Sequence, residues 1–188
     1  MKISLLPVSL ASILILSTSL SLNVLAKEEK TKTTLAETMD WIKGKIEAYS
    51  SYTGTCDNNE ALQGKMKVKS IKDCTIIVEE FISKNPGGFS QSKEKTFNLK
   101  NINPNKIVVD NNILAGCWYS KETNPYFISL TGNSAKDIHV LKRDYAADRQ
   151  ESYDIATENI FFNDKDIADR SVKAIKYAIK LCKDNEPF

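Results

Sequence analysis

The segment of residues 163–182 constrains the fold more than any other part of the chain. Its apolar residues recur at steps of three and four positions, as in the buried stripe of an amphipathic helix. The stripe consists of Ile167, Ser171, Ile175, Ala178, Ile179 and Cys182. Asn163 is predicted to cap the helix, and acidic residues in the first turn and lysines near the end complement the helix dipole. Because such a stripe has to be covered, we expect this helix to pack on the structure formed by the preceding residues.

The amino terminus has the pattern of a secretory signal peptide. An apolar run from Leu5 to about Leu20 follows one lysine, and small or apolar residues lead to a cleavage site after Ala26. A retained membrane anchor is the alternative. The expected divisions are a signal peptide at 1–26, a flexible leader at 27–33 and a single α+β domain at 34–188. The mature protein is therefore expected in the periplasm or outside the cell, with no membrane span after removal of the signal.

All four cysteines follow the predicted cleavage site, and an even number in an exported chain favours disulfide bonds. We favour a bond between Cys74 and Cys182, because both are predicted on inner faces, one of a strand and one of the last helix. Cys56 and Cys117 are then either paired with each other or free. The spacing of the cysteines fits no zinc, haem or thioredoxin-like motif, so neither a metal nor a cofactor is predicted.

A second helix is predicted near the start of the mature chain. Thr34 and Glu37 have the spacing of a capping box, and the apolar residues that follow predict a helix over about Leu35–Tyr49. The polar residues 50–64, which include two glycines, are predicted to form a loop.

Between the two helices the apolar period changes to two, which is typical of strands. Lys95, Phe97 and Leu99, for example, alternate with Thr96 and Asn98. Strands are predicted at residues 65–70, 74–81, 95–99, 106–110, 113–119, 126–131, 137–142 and 154–162, with a polar excursion at 144–150. Because strands and helices do not alternate, the sheet should be antiparallel. The predicted fold is α+β: an N-terminal helix, seven or eight short antiparallel strands in a bent sheet or partly open barrel, and a C-terminal helix that caps it.

Three stretches resemble a group of uncharacterised secreted bacterial domains, a resemblance that implies no activity. They are residues 73–78, 97–104 and 166–182. The order of elements is also similar to that of pleckstrin-homology-like barrels, in which a final helix closes a bent antiparallel sheet. This second resemblance concerns topology, and topology does not define function. The basic phosphoinositide-binding signature of such barrels is not evident in the sequence.

The charge of the chain excludes few functions. The formal net charge is +2, which gives no electrostatic support for nucleic-acid binding.

His139 is the single histidine and could act as a general base, with Cys117 as a nucleophile. A surface histidine and a structural cysteine is the favoured interpretation, so no catalytic residue is assigned.

The acidic residues give no convincing catalytic pair. Glu79 and Glu80 are predicted on opposite faces of one strand, so they cannot point at one substrate. Asp144, Asp148 and Asp154 could bind calcium, but their spacing does not match an EF-hand and a solvated loop is favoured.

Aromatic residues give the better candidate for binding. Residues 117–127 are predicted to form a hairpin with Trp118, Tyr119, Tyr126 and Phe127 close to its tip. Exposed Trp and Tyr are enriched where a partner is bound, so Trp118, Tyr119 and Tyr126 are candidate binding residues. The alternative is that Trp118 and Phe127 fill the core.

The sequence thus favours an exported, non-catalytic binding or interaction module of the bacterial envelope, with a protein or glycan partner. One alternative is a small secreted hydrolase with a site near His139. The other is a periplasmic inhibitor of an enzyme such as lysozyme.

Overall fold

The computed structural model of the protein describes residues 33–56, 60–84, 90–111 and 125–184, together with the backbone of 117–119. The predicted signal peptide lies outside these residues. The helices are α1 (Leu35–Tyr49) and α2 (Lys165–Asp184). The strands are β1 (Ser51–Cys56), β2 (Ala61–Lys72), β3 (Thr75–Lys84), β4 (Gln91–Asn98), β5 (Val108–Asp110), β6 (Cys117–Tyr119), β7 (Tyr126–Thr131), β8 (Ile138–Asp144), β9 (Arg149–Ile155) and β10 (Thr157–Phe162). Within the described ranges, no helix is long and apolar enough to cross a membrane.

The strands form two antiparallel sheets, which confirms the predicted α+β fold. The large sheet has the order β6-β1-β2-β3-β4-β8-β9, and the small sheet has the order β10-β7-β5. Only Ala156 separates β9 from β10, so the chain passes from one sheet to the other at this residue. Among the described strands, the two sheets do not close into a barrel.

Two sequence predictions about the bounds of the strands are wrong. The described residues contain ten strands, where seven or eight are predicted. The predicted loop at 50–64 contains β1 and the start of β2. Tyr52 and Leu62 are buried there, but threonine, glycine and polar residues between them obscure the alternation. The predicted strand at 154–162 is two strands, and the excursion before it is the hairpin turn between β8 and β9. Strand β9 lies at an edge and is mostly exposed, so it lacks an apolar pattern.

Helix α1 begins at the predicted capping box. The Thr34 hydroxyl accepts a hydrogen bond from the Glu37 amide at 3.2 Å, and the Glu37 carboxylate accepts one from the Thr34 amide at 2.8 Å. The helix buries Met39, Ile42 and Ile46 along one face.

Helix α2 buries the predicted stripe, with Ala168 as an additional member. Its cap is Asp164 and not Asn163, because the Asp164 carboxylate accepts a hydrogen bond from the Ile167 amide at 2.9 Å. Asn163 instead donates its amide hydrogen to the Tyr49 carbonyl at the end of α1, at 2.8 Å. The predicted disulfide between Cys74 and Cys182 is present and ties the end of α2 to the turn between β2 and β3.

Candidate ligand-binding cleft

The inner face of the large sheet changes from apolar to charged along its strands. One row across β3, β4, β8 and β9 consists of Ile76, Phe97, Ile138 and Ile155. The next row on the same face consists of Val78, Lys95, Val140 and Tyr153. A third row, here called the charged row, consists of Glu80, Lys93, Lys142 and Glu151. The core therefore ends at Lys95, and the charged row lies beyond it.

Lys95 is a buried lysine, with a side chain that is only 2% exposed. Its ammonium nitrogen lies 2.9 Å from the carboxylate of Glu80, 2.9 Å from that of Glu158 and 2.8 Å from the carbonyl oxygen of Asn159. A lysine ammonium has three donors, so these three acceptors satisfy it completely. The buried charge is thereby paired and hydrogen-bonded, which is the condition for tolerating it in the interior.

The same group joins the two sheets. Among the described strands, β10 pairs only with β7, which leaves its other edge free. At this free edge Lys95 donates to the Asn159 carbonyl, and the Glu158 carboxylate accepts a hydrogen bond of 2.9 Å from the Asn159 amide. The Lys95–Glu158 ion pair thus satisfies both backbone groups of Asn159, as a neighbouring strand would.

Burial and charge act in opposite directions on these groups. Burial alone would lower the pKa of the Lys95 ammonium, but the carboxylates of Glu80 and Glu158 outweigh it and raise the pKa. Burial likewise would raise the pKa of Glu158, but Lys95 and the Asn159 amide outweigh it and lower the pKa. Both side chains are therefore held in their charged forms near neutral pH.

A cleft of about 390 Å³ opens over this ion cluster, between the inner face of the large sheet and the free edge of β10. Its apolar lining consists of Tyr52, Leu62, Ile82, Phe127 and Phe161. Its polar lining consists of Lys84, Gln91, Lys93, Lys142 and Asn159, with Glu80, Lys95 and Glu158 at the base. One wall of the cleft is therefore aromatic and the rim is cationic.

The lysines of the rim are incompletely neutralised. Lys142 lies 3.3 Å from Glu151, but neither Lys84 nor Lys93 forms an ion pair with any described residue. Lys93 faces Glu80 on one side and Lys142 on the other. Because the Glu80 carboxylate is turned to Lys95, Lys93 keeps a like-charged neighbour and acts on the Glu158 carboxylate only at longer range, where its charge helps to lower the pKa of that group.

The aromatic wall is fixed by packing. The Tyr52 and Phe161 rings meet edge to face, with centroids 4.7 Å apart, and the Phe127 ring lies 6.2 Å from Phe161. Tyr52 also lies over Gly64, its partner across β1 and β2. A Cβ atom on Gly64 would lie only 2.0 Å from the Tyr52 ring, so the position of this ring requires a glycine there.

The prediction that residues 117–127 form an aromatic hairpin is wrong. Strand β6 pairs with β1 in the large sheet, whereas β7 belongs to the small sheet. The side chains of Trp118 and Tyr119 lie outside the described residues, and Tyr126 is half-buried against the core. A binding role for these three residues stays a prediction. Phe127, their neighbour in sequence, lines the cleft instead.

His139 is exposed on the outer face of the large sheet, away from the cleft. Its Nδ1 atom lies 2.8 Å from the carboxylate of Asp154, and Thr96 is its partner on β4. Four strands separate β8 from β6, which carries Cys117, so the topology does not place these two residues on neighbouring strands. The imidazole of His139 is thus oriented by Asp154, as a general base would be, but Cys117, the predicted nucleophile, is not on a neighbouring strand.

The acidic residues considered from the sequence have separate partners. Glu79 lies 3.4 Å from Arg143 on the outer face while Glu80 points inward, which confirms their predicted separation. The Asp144 carboxylate accepts hydrogen bonds from the amides of the following hairpin turn. Among the described residues, no group of three or more histidine, cysteine, aspartate or glutamate side chains is arranged to hold a metal ion.

Neither the buried lysine nor the cleft is predicted from the sequence. A sequence signal for the buried lysine was present, because Lys95 has the same parity as Phe97 and Leu99 in the predicted strand.

Comparisons with protein-family models, curated proteins and solved structures find no match. The geometry of this cleft is therefore the basis for the function proposed below.

Proposed function

We propose that the protein is an exported, non-catalytic binding module of the bacterial envelope, and that the cleft is its recognition site. The observation that carries this proposal is the juxtaposition of a fixed aromatic wall with two lysines, Lys84 and Lys93, that form no ion pair with a described residue. Ligand sites are commonly concave and largely apolar, with a few placed polar groups, and this cleft has that composition. The module would hold an anionic group of its ligand at the rim.

Export is supported by two independent features. The signal pattern at residues 1–26 directs the chain out of the cytoplasm, and the Cys74–Cys182 bond fits an oxidising compartment. The mature protein would then act in the periplasm or outside the cell, and its amino terminus should be Lys27.

Photo-cross-linking in the native cell tests the proposed site. A photoreactive residue would replace Gln91, which lines the cleft, or Gln63, which is exposed on β2, as a matched control. We expect an adduct from position 91 that is absent from position 63 and is lost when Lys84 and Lys93 are both changed to Gln. The same adduct from both positions, or its persistence in the lysine variant, would show that the cleft is not the recognition site.

The hydrolase hypothesis keeps one supporting observation, the hydrogen bond between His139 and Asp154, since a carboxylate orients the imidazole of many general bases. Hydrolysis of chromogenic ester and glycoside substrates, compared between the native protein and a His139→Gln variant, tests it. Activity that depends on His139 would replace the binding module as the proposed function. The inhibitor hypothesis is tested by adding the protein to a lysozyme assay.

A further inference from the structure

We propose that the cleft binds a small anionic amphiphile, meaning a molecule with one carboxylate or phosphate group beside an apolar body. This inference rests on the proposed function and specifies the ligand. It is carried by the direct cross-strand apposition of Lys93 and Lys142 beside the apolar wall formed by Tyr52, Leu62 and Phe127.

The anionic group follows from the charges at the rim. Like charges placed directly opposite each other on neighbouring strands repel, and the sheet would normally avoid them. The carboxylate of Glu80, on the other side of Lys93, is already bound to the ammonium of Lys95. Lys84, at the end of β3, adds a third ammonium to the same lining. Glu151, 3.3 Å from Lys142, offsets this repulsion only in part. An anion between Lys93 and Lys142 would reduce it further, and lysines bind anions as point charges without demanding bidentate geometry.

The apolar body follows from the opposite wall. Tyr52 is held in place by Phe161 and by its close approach to Gly64, so this surface exists before a ligand arrives. A preformed apolar surface favours binding because little conformational entropy is lost there. The ligand therefore needs an apolar part within reach of its anionic group.

The size of the cleft and the blocked strand edge favour a small molecule over a peptide. The volume, about 390 Å³, is within the usual range for small-molecule sites. A peptide could bind by adding a strand to the free edge of β10, but the backbone groups of Asn159 are already bound to Lys95 and Glu158. The ion cluster that forms the base of the cleft thus prevents strand addition at that residue.

Titration with three compounds of equal chain length tests the proposal. Decanoate, decyl phosphate and decyltrimethylammonium would be added below their micelle concentrations to the ¹⁵N-labelled mature protein. We expect the two anions to shift the amide resonances of cleft residues such as Ile82, Lys93 and Lys142, and the cation to leave them unchanged. A response to only one anion would identify the head group. Equal binding of the cation, or shifts confined to other surfaces, would overturn the proposal.

Matched lysine variants provide the second measurement. Lys93→Gln with Lys142→Gln removes the apposed cations, whereas Lys65→Gln with Lys67→Gln removes two exposed lysines from the outer face of β2. We expect at least tenfold weaker binding of the anions by the first variant and no change for the second. Equal affinities would overturn the proposal. If no compound binds but cross-linking at Gln91 still depends on the rim lysines, the ligand class is wrong and the proposed function stands; if that dependence also fails, both are wrong.

Discussion

The ammonium group of Lys95 donates a hydrogen bond of 2.8 Å to the carbonyl oxygen of Asn159, and this bond links the inner face of β4 to the free edge of β10. Glu80 and Glu158 complete the cluster from both sides of the cleft base. A buried ion pair is not in itself a strong source of stability, because desolvation offsets the attraction. We therefore expect the cluster of Lys95, Glu80 and Glu158 to act mainly by fixing the separation of the two sheets, and this separation sets the shape of the cleft.

Replacing Lys95 with Met should destabilise the protein by about 3–5 kcal/mol, because it leaves the buried carboxylate of Glu80 and the largely buried carboxylate of Glu158 without their counterion. The Asn159 carbonyl also loses its donor, which adds to the cost. Urea unfolding followed by circular dichroism measures the change in the free energy of unfolding.

The control for this prediction removes the remaining charges. Glu80→Gln and Glu158→Gln, added to Lys95→Met, should recover part of the lost stability, because no uncompensated charge stays buried. If Lys95→Met alone were as stable as the native protein, the cluster would not hold the sheets together.

The stability of the protein should be greatest across the neutral range and fall at both extremes of pH. The pKa of Glu158 is lowered from 4.5, so its contribution is present above that value and is lost as the pH falls through the lowered pKa. The pKa of Lys95 is raised from 10.5, so its contribution is present below that value and is lost as the pH rises through the raised pKa. Thermal unfolding measured from acid to alkaline pH checks both limbs.

A variant separates the acid limb from the contributions of other carboxylates. Glu158→Gln should weaken the acid dependence and move the alkaline limb to lower pH, because Glu158 helps to raise the pKa of Lys95, while Glu80 still pairs with it. An unchanged acid limb in this variant would assign the pH dependence to groups outside the cluster.

The two helices and the disulfide bond could be predicted from the sequence, because each depends on the pattern of a short segment. The stripe of α2 and the capping box of α1 are properties of short segments, and the Cys74–Cys182 bond followed from two faces that were each evident alone. The cap at Asp164 was missed because Asn163 is an equally good capping residue by type. Its amide is instead bound by the end of α1, which is a tertiary contact.

The cleft could not be predicted, because it depends on which residues meet across two sheets. Lys95 has the same parity as Phe97 and Leu99, but a lone lysine in such a pattern gives no sign of its partners. Glu158 reaches it only because the chain turns at Ala156 and enters the other sheet. The mostly polar sequence of β9 gave no signal for that turn.

Substituting Gly64 with Ala should destabilise the protein by about 1–3 kcal/mol, because the new Cβ atom would overlap the buried Tyr52 ring and force it to move. Gly44→Ala is the matched control, since nothing lies within 4 Å of a Cβ atom at that helical position. That change should stabilise the protein by about 0.5–1 kcal/mol. Thermal unfolding of the two variants measures both effects. If the two substitutions shifted the midpoint temperature of unfolding in the same direction, this explanation of the role of Gly64 would be wrong.

Removing the Cys74–Cys182 bond by changing both residues to Ala should lower the free energy of unfolding by about 4–5 kcal/mol on the chain-entropy estimate, because the bond spans 108 residues.

The backbone register places Cys56 opposite Cys117, whose side chain lies outside the described residues, so their pairing stays a prediction. Peptide mapping under non-reducing conditions should recover both linkages. A Cys56–Cys74 peptide would contradict the assignment of both pairs.

Lys93→Gln should separate ligand binding from stability. The native lysine lies opposite Lys142 and forms no ion pair with a described residue, so neutralising it relieves a repulsion between neighbouring strands. We expect the free energy of unfolding to stay the same or rise by up to about 1 kcal/mol, while the affinity for decanoate falls. The comparison with Lys95→Met is decisive, because both changes remove one lysine from the same face of β4. If Lys93→Gln destabilised the protein as strongly as Lys95→Met, Lys93 would have a structural role, and the anion-binding interpretation of the rim would fail.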